Sequence, residues 1–95
     1  MMFTQANAKA VARLVSEKLG TDIMQNTRKQ PIMEGRQVAM YILYEQGGKL
    51  RQVGGFFGRD HASVIHSKKV VCTLLEIDKC YREKWKSFIN TCCEF

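Results

Sequence analysis

Apolar residues return every three or four positions along almost the whole chain, and the gaps between these stretches hold glycine, proline or a capping side chain. That spacing is helical, since one turn takes about 3.6 residues. Thr4 is placed to cap a first helix with Ala8, Val11, Ala12, Leu14 and Val15 as apolar positions, ending at Gly20. Asp22 caps a single turn through Ile23 and Met24, and the polar, basic loop Gln25-Asn26-Thr27-Arg28-Lys29-Gln30 follows. Pro31 suits the start of a second helix, where its missing N–H would have had no partner. That helix carries Ile32, Val38, Ala39, Ile42 and Leu43 and stops at Gly47-Gly48.

A short helix from about Lys49 to Phe56 comes next, with Leu50, Val53 and Phe57 inward, then the turn Gly54-Gly55-Phe56-Phe57-Gly58. Asp60 can accept the unpaired N–H groups of a long helix that runs to about Ile77, and Asp78 can cap the last one. The last helix has the stripe Tyr81, Trp85, Phe88, Ile89 and Cys92, whose helical spacing reads as core. No segment alternates as a strand would. The pattern therefore predicts an all-α chain, a bundle of about five to six helices, organised as a single domain over residues 1–95.

At 100° per residue, Val64, Val71 and Leu75 of the long helix share one face, with Ser67 and Leu74 on its shoulder. The opposite face holds Arg59, Ala62, His66, Lys69 and Thr73, with His61 and Ser63 near its head, and has no carboxylate after the cap. Such a face is either simply solvated or built to enter a major groove, with Lys68 and Lys69 near phosphates. A short helix, a glycine-containing turn and a longer helix that is basic outward form a helix-turn-helix pattern, which favours the groove. Charge agrees: 15 Lys and Arg face 9 Asp and Glu, a formal net charge of +6, which suits a polyanionic partner.

Other chemistry finds little support. His61 and His66 are five apart, which spoils a metal pair on one helix face, and Cys92-Cys93 has neither a second pair nor ligand spacing. No nucleophile constellation stands out. Gly47-Gly48-Lys49 lacks the spacing and the hydroxyl of a phosphate loop. The chain is expected to be no enzyme, to use no cofactor or metal and to take no small-molecule substrate. Met1–Ala12 has no signal-peptide-length apolar run, and no stretch nears the ~20 apolar residues of a membrane span. A cytoplasmic protein with reduced thiols at Cys72, Cys80, Cys92 and Cys93, and no membrane partner, is the expectation.

The run Val53-Gly54-Gly55-Phe56-Phe57-Gly58-Arg59-Asp60-His61-Ala62-Ser63-Val64-Ile65-His66-Ser67-Lys68-Lys69 resembles the signature of the DNA-binding domain of the bacterial replication initiator DnaA. Thr27-Arg28-Lys29-Gln30 and Arg36-Gln37-Val38-Ala39-Met40-Tyr41 resemble its upstream part, so the likeness covers nearly the whole chain. The resemblance implies the initiator's C-terminal, Trp-repressor-like helix-turn-helix fold and double-stranded DNA as partner. It implies base contacts in the major groove from Asp60, His61, Ala62 and Ser63, and a minor-groove contact from Arg28. It also implies a phosphate contact from the pair Arg36 and Gln37, expected at the head of the middle helix. Arg59, His66, Lys68 and Lys69 complete the expected phosphate contacts, with His66 open between a base, a phosphate and solvent.

Four departures accompany the likeness. Ala62 stands where the family usually has a hydroxyl residue, although its methyl can still meet a thymine methyl. Tyr44 replaces a lysine late in the middle helix. The glycine turn is one residue shorter than the commonest form, and the loop after Glu45 is shortened as well. The initiator also carries an ATPase module ahead of this domain, whereas the present sequence is expected to act as a stand-alone chain. Two further readings stay open: a protein-interaction module that has kept the fold and lost DNA recognition, and RNA binding, which the lack of aromatics at stacking positions disfavours.

Overall fold

The computed structural model describes residues 3–25, 27 and 29–93, and within them five helices and no strand. They are α1 (Gln5–Leu19), α2 (Gln30–Glu45), α3 (Leu50–Phe56), α4 (His61–Ile77) and α5 (Lys79–Cys93). The all-α expectation holds, with the Asp22–Met24 segment forming a turn in which the Met24 N–H donates to Asp22 Oδ1 at 2.9 Å.

Short-range capping chemistry fixes the helix starts. The Thr4 hydroxyl accepts from the Asn7 N–H at 3.0 Å, Asp60 Oδ1 from the Ser63 N–H at 2.9 Å, and Asp78 Oδ1 from the Tyr81 N–H at 3.0 Å. Each bond satisfies a first-turn donor that has no partner inside its own helix. α3 starts one residue later than its pattern suggests, because Lys49 is its cap and its N–H donates to Gln52 Oε1 at 3.1 Å.

α2 is the central element. It packs most extensively on α4, and α1 and α5 cover its remaining sides. Val38, Ala39, Ile42 and Leu43 of α2 meet Val11, Val15, Val64, Val71 and Trp85 in one continuous core. Trp85 is fully buried, and its indole N–H donates to Glu34 Oε2 at 3.1 Å, while Lys84 pairs with the same oxygen at 2.7 Å. A second polar link runs through buried Gln46, whose side chain accepts from Asn7 and donates to the Cys92 carbonyl, both at 2.7 Å. These links tie both ends of α2 to α5.

Candidate nucleic-acid interface

The chain between α3 and α4 is shaped by two glycines. Gly58 takes φ 67°, the left-handed region that a side chain disfavours, and it turns the chain back towards α3. Gly54 lets that returning strand of backbone lie against α3: a Cβ there would stand 2.7 Å from the Arg59 carbonyl oxygen and 3.0 Å from that of Asp60. The Arg59 N–H donates to the Gly54 carbonyl at 2.8 Å and locks the crossing. The head of α4 is thus placed by backbone contact with α3. Two helices joined in this way, the second longer and exposed on one side, form a helix-turn-helix.

Burial along α4 follows the pattern closely. Val64, Ser67 and Val71 are buried, Leu74 and Leu75 are half-buried, and His61, Ala62, His66, Lys69 and Thr73 are exposed. Asp60 has a second task beyond the cap, since its Oδ1 also accepts from the Ser63 hydroxyl at 3.1 Å. The backbone N–H and hydroxyl of Ser63 hold the Asp60 carboxyl below its ordinary range. The outward turn of α4 therefore offers an exposed imidazole at His61, a methyl at Ala62, and a hydroxyl at Ser63 whose proton is already committed.

Beside this turn lies an open cleft of about 470 Å³ between α2 and α4. Arg36, Gln37 and Met40 line it from α2, and Arg59, Asp60, Ala62, Ser63 and His66 from the head of α4. The structure thus brings most of the expected contact residues to one place: Gln37, Arg59, Asp60, Ala62, Ser63 and His66 line the same cleft as Arg36, and His61 stands exposed on the first turn. Arg59, exposed beside the cleft, is its accessible cation, while the Asp60 carboxylate already takes the Ser63 N–H at the head of α4.

Two expected contacts, Arg36 and Lys68, look different in three dimensions, and a third, Arg28, lies outside the described residues. Arg36 is not at the head of α2, because Pro31 places the helix start at Gln30 and leaves Arg36 in the second turn, beyond the reach of the terminal dipole. It is only 6% exposed, and its guanidinium donates from Nη1 to the Gln25 carbonyl at 2.7 Å and from Nη2 to the Thr27 carbonyl. Burial, and then the nearby Arg59, lower its pKa. Lys68 is half-buried, with its ammonium 4.6 Å above the Tyr44 ring, a cation–π distance. Tyr44, read as a lost charge, instead holds a charge supplied by α4. Sequence reasoning also passed over the close approach at Gly54, because a contact with carbonyls five and six residues on has no periodic signature.

Outside the cleft the chemistry is quiet. Among the described residues no group of three or more His, Cys, Asp or Glu gathers as a metal site would require. All four cysteines are free thiols, and burial pushes those of Cys92 and Cys93 up, which makes thiolate scarcer there. No described helix is long and apolar enough to cross a membrane.

The class that this fold and this surface define is a helix-turn-helix DNA-binding module. Residues 8–71 match the family described as the bacterial DnaA protein helix-turn-helix, and the chain belongs to that family. It is similar to the chromosomal replication initiator protein DnaA of Kosmotoga olearia, 35% identical over 72 residues, which cover 74% of this chain but only 16% of that protein. No solved structure matches the chain significantly. The family match ends within α4, so α5 and its buried Trp85 lie beyond the matched segment although they close the core.

Proposed function

We propose that residues 1–95 act as one domain that binds duplex DNA sequence-specifically at a site related to the boxes of the DnaA initiator, in replication control or transcriptional regulation. The observation that carries this reading is the cleft between α2 and the head of α4. There the candidate base-reading residues Asp60, Ala62 and Ser63 line the same cleft as the candidate phosphate ligands Gln37, Arg59 and His66. His61 reads base edges from the exposed first turn of α4, and Lys68 and Lys69 meet phosphates farther along. Arg28 enters the adjacent minor groove, whose narrow A·T-rich form concentrates negative potential.

Mobility-shift titrations of box-related and scrambled duplexes test the proposal. The box-related duplex is expected to bind more tightly, and His61→Ala is expected to cost about 1–3 kcal/mol on that duplex while barely affecting the scrambled one. An equal loss on every duplex would remove α4 as the base-reading element. No binding by the unaltered chain would favour the protein-interaction reading, in which Ala62 and Tyr44 mark recognition already given up.

A further inference from the structure

We infer that Arg36 is a positioning residue, whose buried guanidinium straps the loop at positions 25–29 to α2 and so sets where that loop meets DNA. This inference rests on the proposed DNA-binding reading, and it gives Arg36 a role other than holding a phosphate.

Among the described residues, little else holds the loop from a distance. Its remaining hydrogen bonds among the described residues are local: the Gln25 N–H to the Asp22 carbonyl at 3.5 Å, the Thr27 N–H to the Gln25 carbonyl at 3.0 Å, the Lys29 N–H to Thr27 Oγ1 at 3.3 Å, and the Met33 N–H of the first turn of α2 to the Lys29 carbonyl at 2.9 Å. Among the described residues, only Arg36 reaches Gln25 and Thr27 from the helix body, eleven and nine positions away. The two carbonyls it binds are two residues apart, on alternate peptide units. A guanidinium can serve both because its N–H groups diverge in a fixed plane, whereas an ammonium is a single point charge with no such fork.

The electrostatics fit a strap better than a surface cation. Among the described residues no carboxylate pairs with Arg36, and Arg59 adds like charge from the cleft side. A buried cation of this kind is tolerated only when its N–H groups find acceptors, and the loop carbonyls are those acceptors. The dependence is mutual, since the loop needs the guanidinium for its position and the guanidinium needs the loop for its hydrogen bonds. The backbone is thereby held at Thr27 by the guanidinium and at Lys29 through Thr27 Oγ1, one position to either side of the residue proposed for the minor groove.

Arg36→Lys in the full chain is the decisive variant, because it keeps the charge and loses the fork. Without DNA, trypsin is expected to cut after Arg28 and Lys29 several-fold faster than in the unaltered chain, at a matched fraction folded. With DNA, affinity for a box-related duplex with A·T-rich flanks is expected to fall roughly five- to tenfold, with little change when the flanks are G·C-rich. The slope of log affinity against log salt is expected to stay unchanged, whereas losing a phosphate contact would flatten it by about one unit in Arg36→Met.

Unchanged trypsin cutting in Arg36→Lys would overturn the inference, as would faster cutting without any flank dependence. Should Arg36→Lys fail to fold, amide exchange of the unaltered chain decides: Thr27 and Lys29 N–H groups exchanging at free-loop rates would overturn the strap, and protected ones would support it. If the unaltered chain bound no duplex, the DNA-binding reading would fail, while the cutting rates would still report on the strap.

Discussion

Ser63 gives both of its hydrogens to a neighbour. Its N–H and its hydroxyl reach Asp60 Oδ1 at 2.9 and 3.1 Å, so the side chain faces outward with lone pairs and no proton to donate. A hydroxyl so fixed can recognise a base only as an acceptor, and the major-groove donors are the amino groups of adenine and cytosine. The position facing Ser63 is therefore expected to be adenine or cytosine on the contacted strand. Ser63→Ala is expected to relax preference at that one base pair, at a cost of about 1–3 kcal/mol on the preferred duplex. Selection of bound duplexes from a randomised pool, with both proteins, reads this directly. Enrichment of guanine or thymine opposite Ser63 would mean that its proton is not committed to Asp60 in the complex.

At the scale of elements, the setting of α4 depends on how closely the turn crosses α3 at Gly54. The methyl of Gly54→Ala would meet two backbone carbonyl oxygens, at 2.7 and 3.0 Å, which cannot step aside as a side-chain end could. The variant is expected to lose about 1–3 kcal/mol of stability by overpacking. Because the displaced carbonyls belong to Arg59 and Asp60, it should also lose DNA affinity at temperatures where it is fully folded. Gly55, where an added Cβ meets nothing within 4 Å, supplies the control: Gly55→Ala is expected to keep both properties. Thermal melts beside binding isotherms check the pair, and equal losses from both variants would refute the crossing as the cause.

The same contrast explains what could be read from the chain alone. The caps at Thr4, Asp60 and Asp78 and the stripe of α5 were legible because each is a relation between residues three or four apart, fixed by helix geometry. The outward face of α4 was legible for the same reason. Arg36 was legible as part of a motif but not in its surroundings, since its partners are backbone carbonyls of a loop and every residue carries one. Lys68 counted as a simple surface cation until the fold brought Tyr44 beneath it. Gln46 carried no signal at all, because its partners Asn7 and Cys92 lie at opposite ends of the chain.

For the whole molecule, the question is how much of a formal charge of +6 the proposed interface can use. The cations that the sequence offers to phosphates and grooves are Arg28, Arg36, Arg59, Lys68 and Lys69, and five neutralised phosphates would give a salt slope of about −4.5. The structure lowers that expectation, because the Arg36 guanidinium is buried and binds the loop, while Arg59 and Lys69 stay exposed and Lys68 keeps its charge over an aromatic ring. Four contacts give a slope of about −3.6. Two cations of α5 are engaged within the fold. Lys84 is paired with Glu34 at 2.7 Å, and Arg82 caps the end of α4, donating to the carbonyls of Leu75 and Glu76 at 2.7 and 2.6 Å. Titrations of the preferred duplex between about 50 and 200 mM salt span the range where such slopes are resolved. A slope steeper than about −5 would show that cations beyond the α2–α4 face reach the DNA, and one near zero would remove the phosphate backbone as the source of affinity.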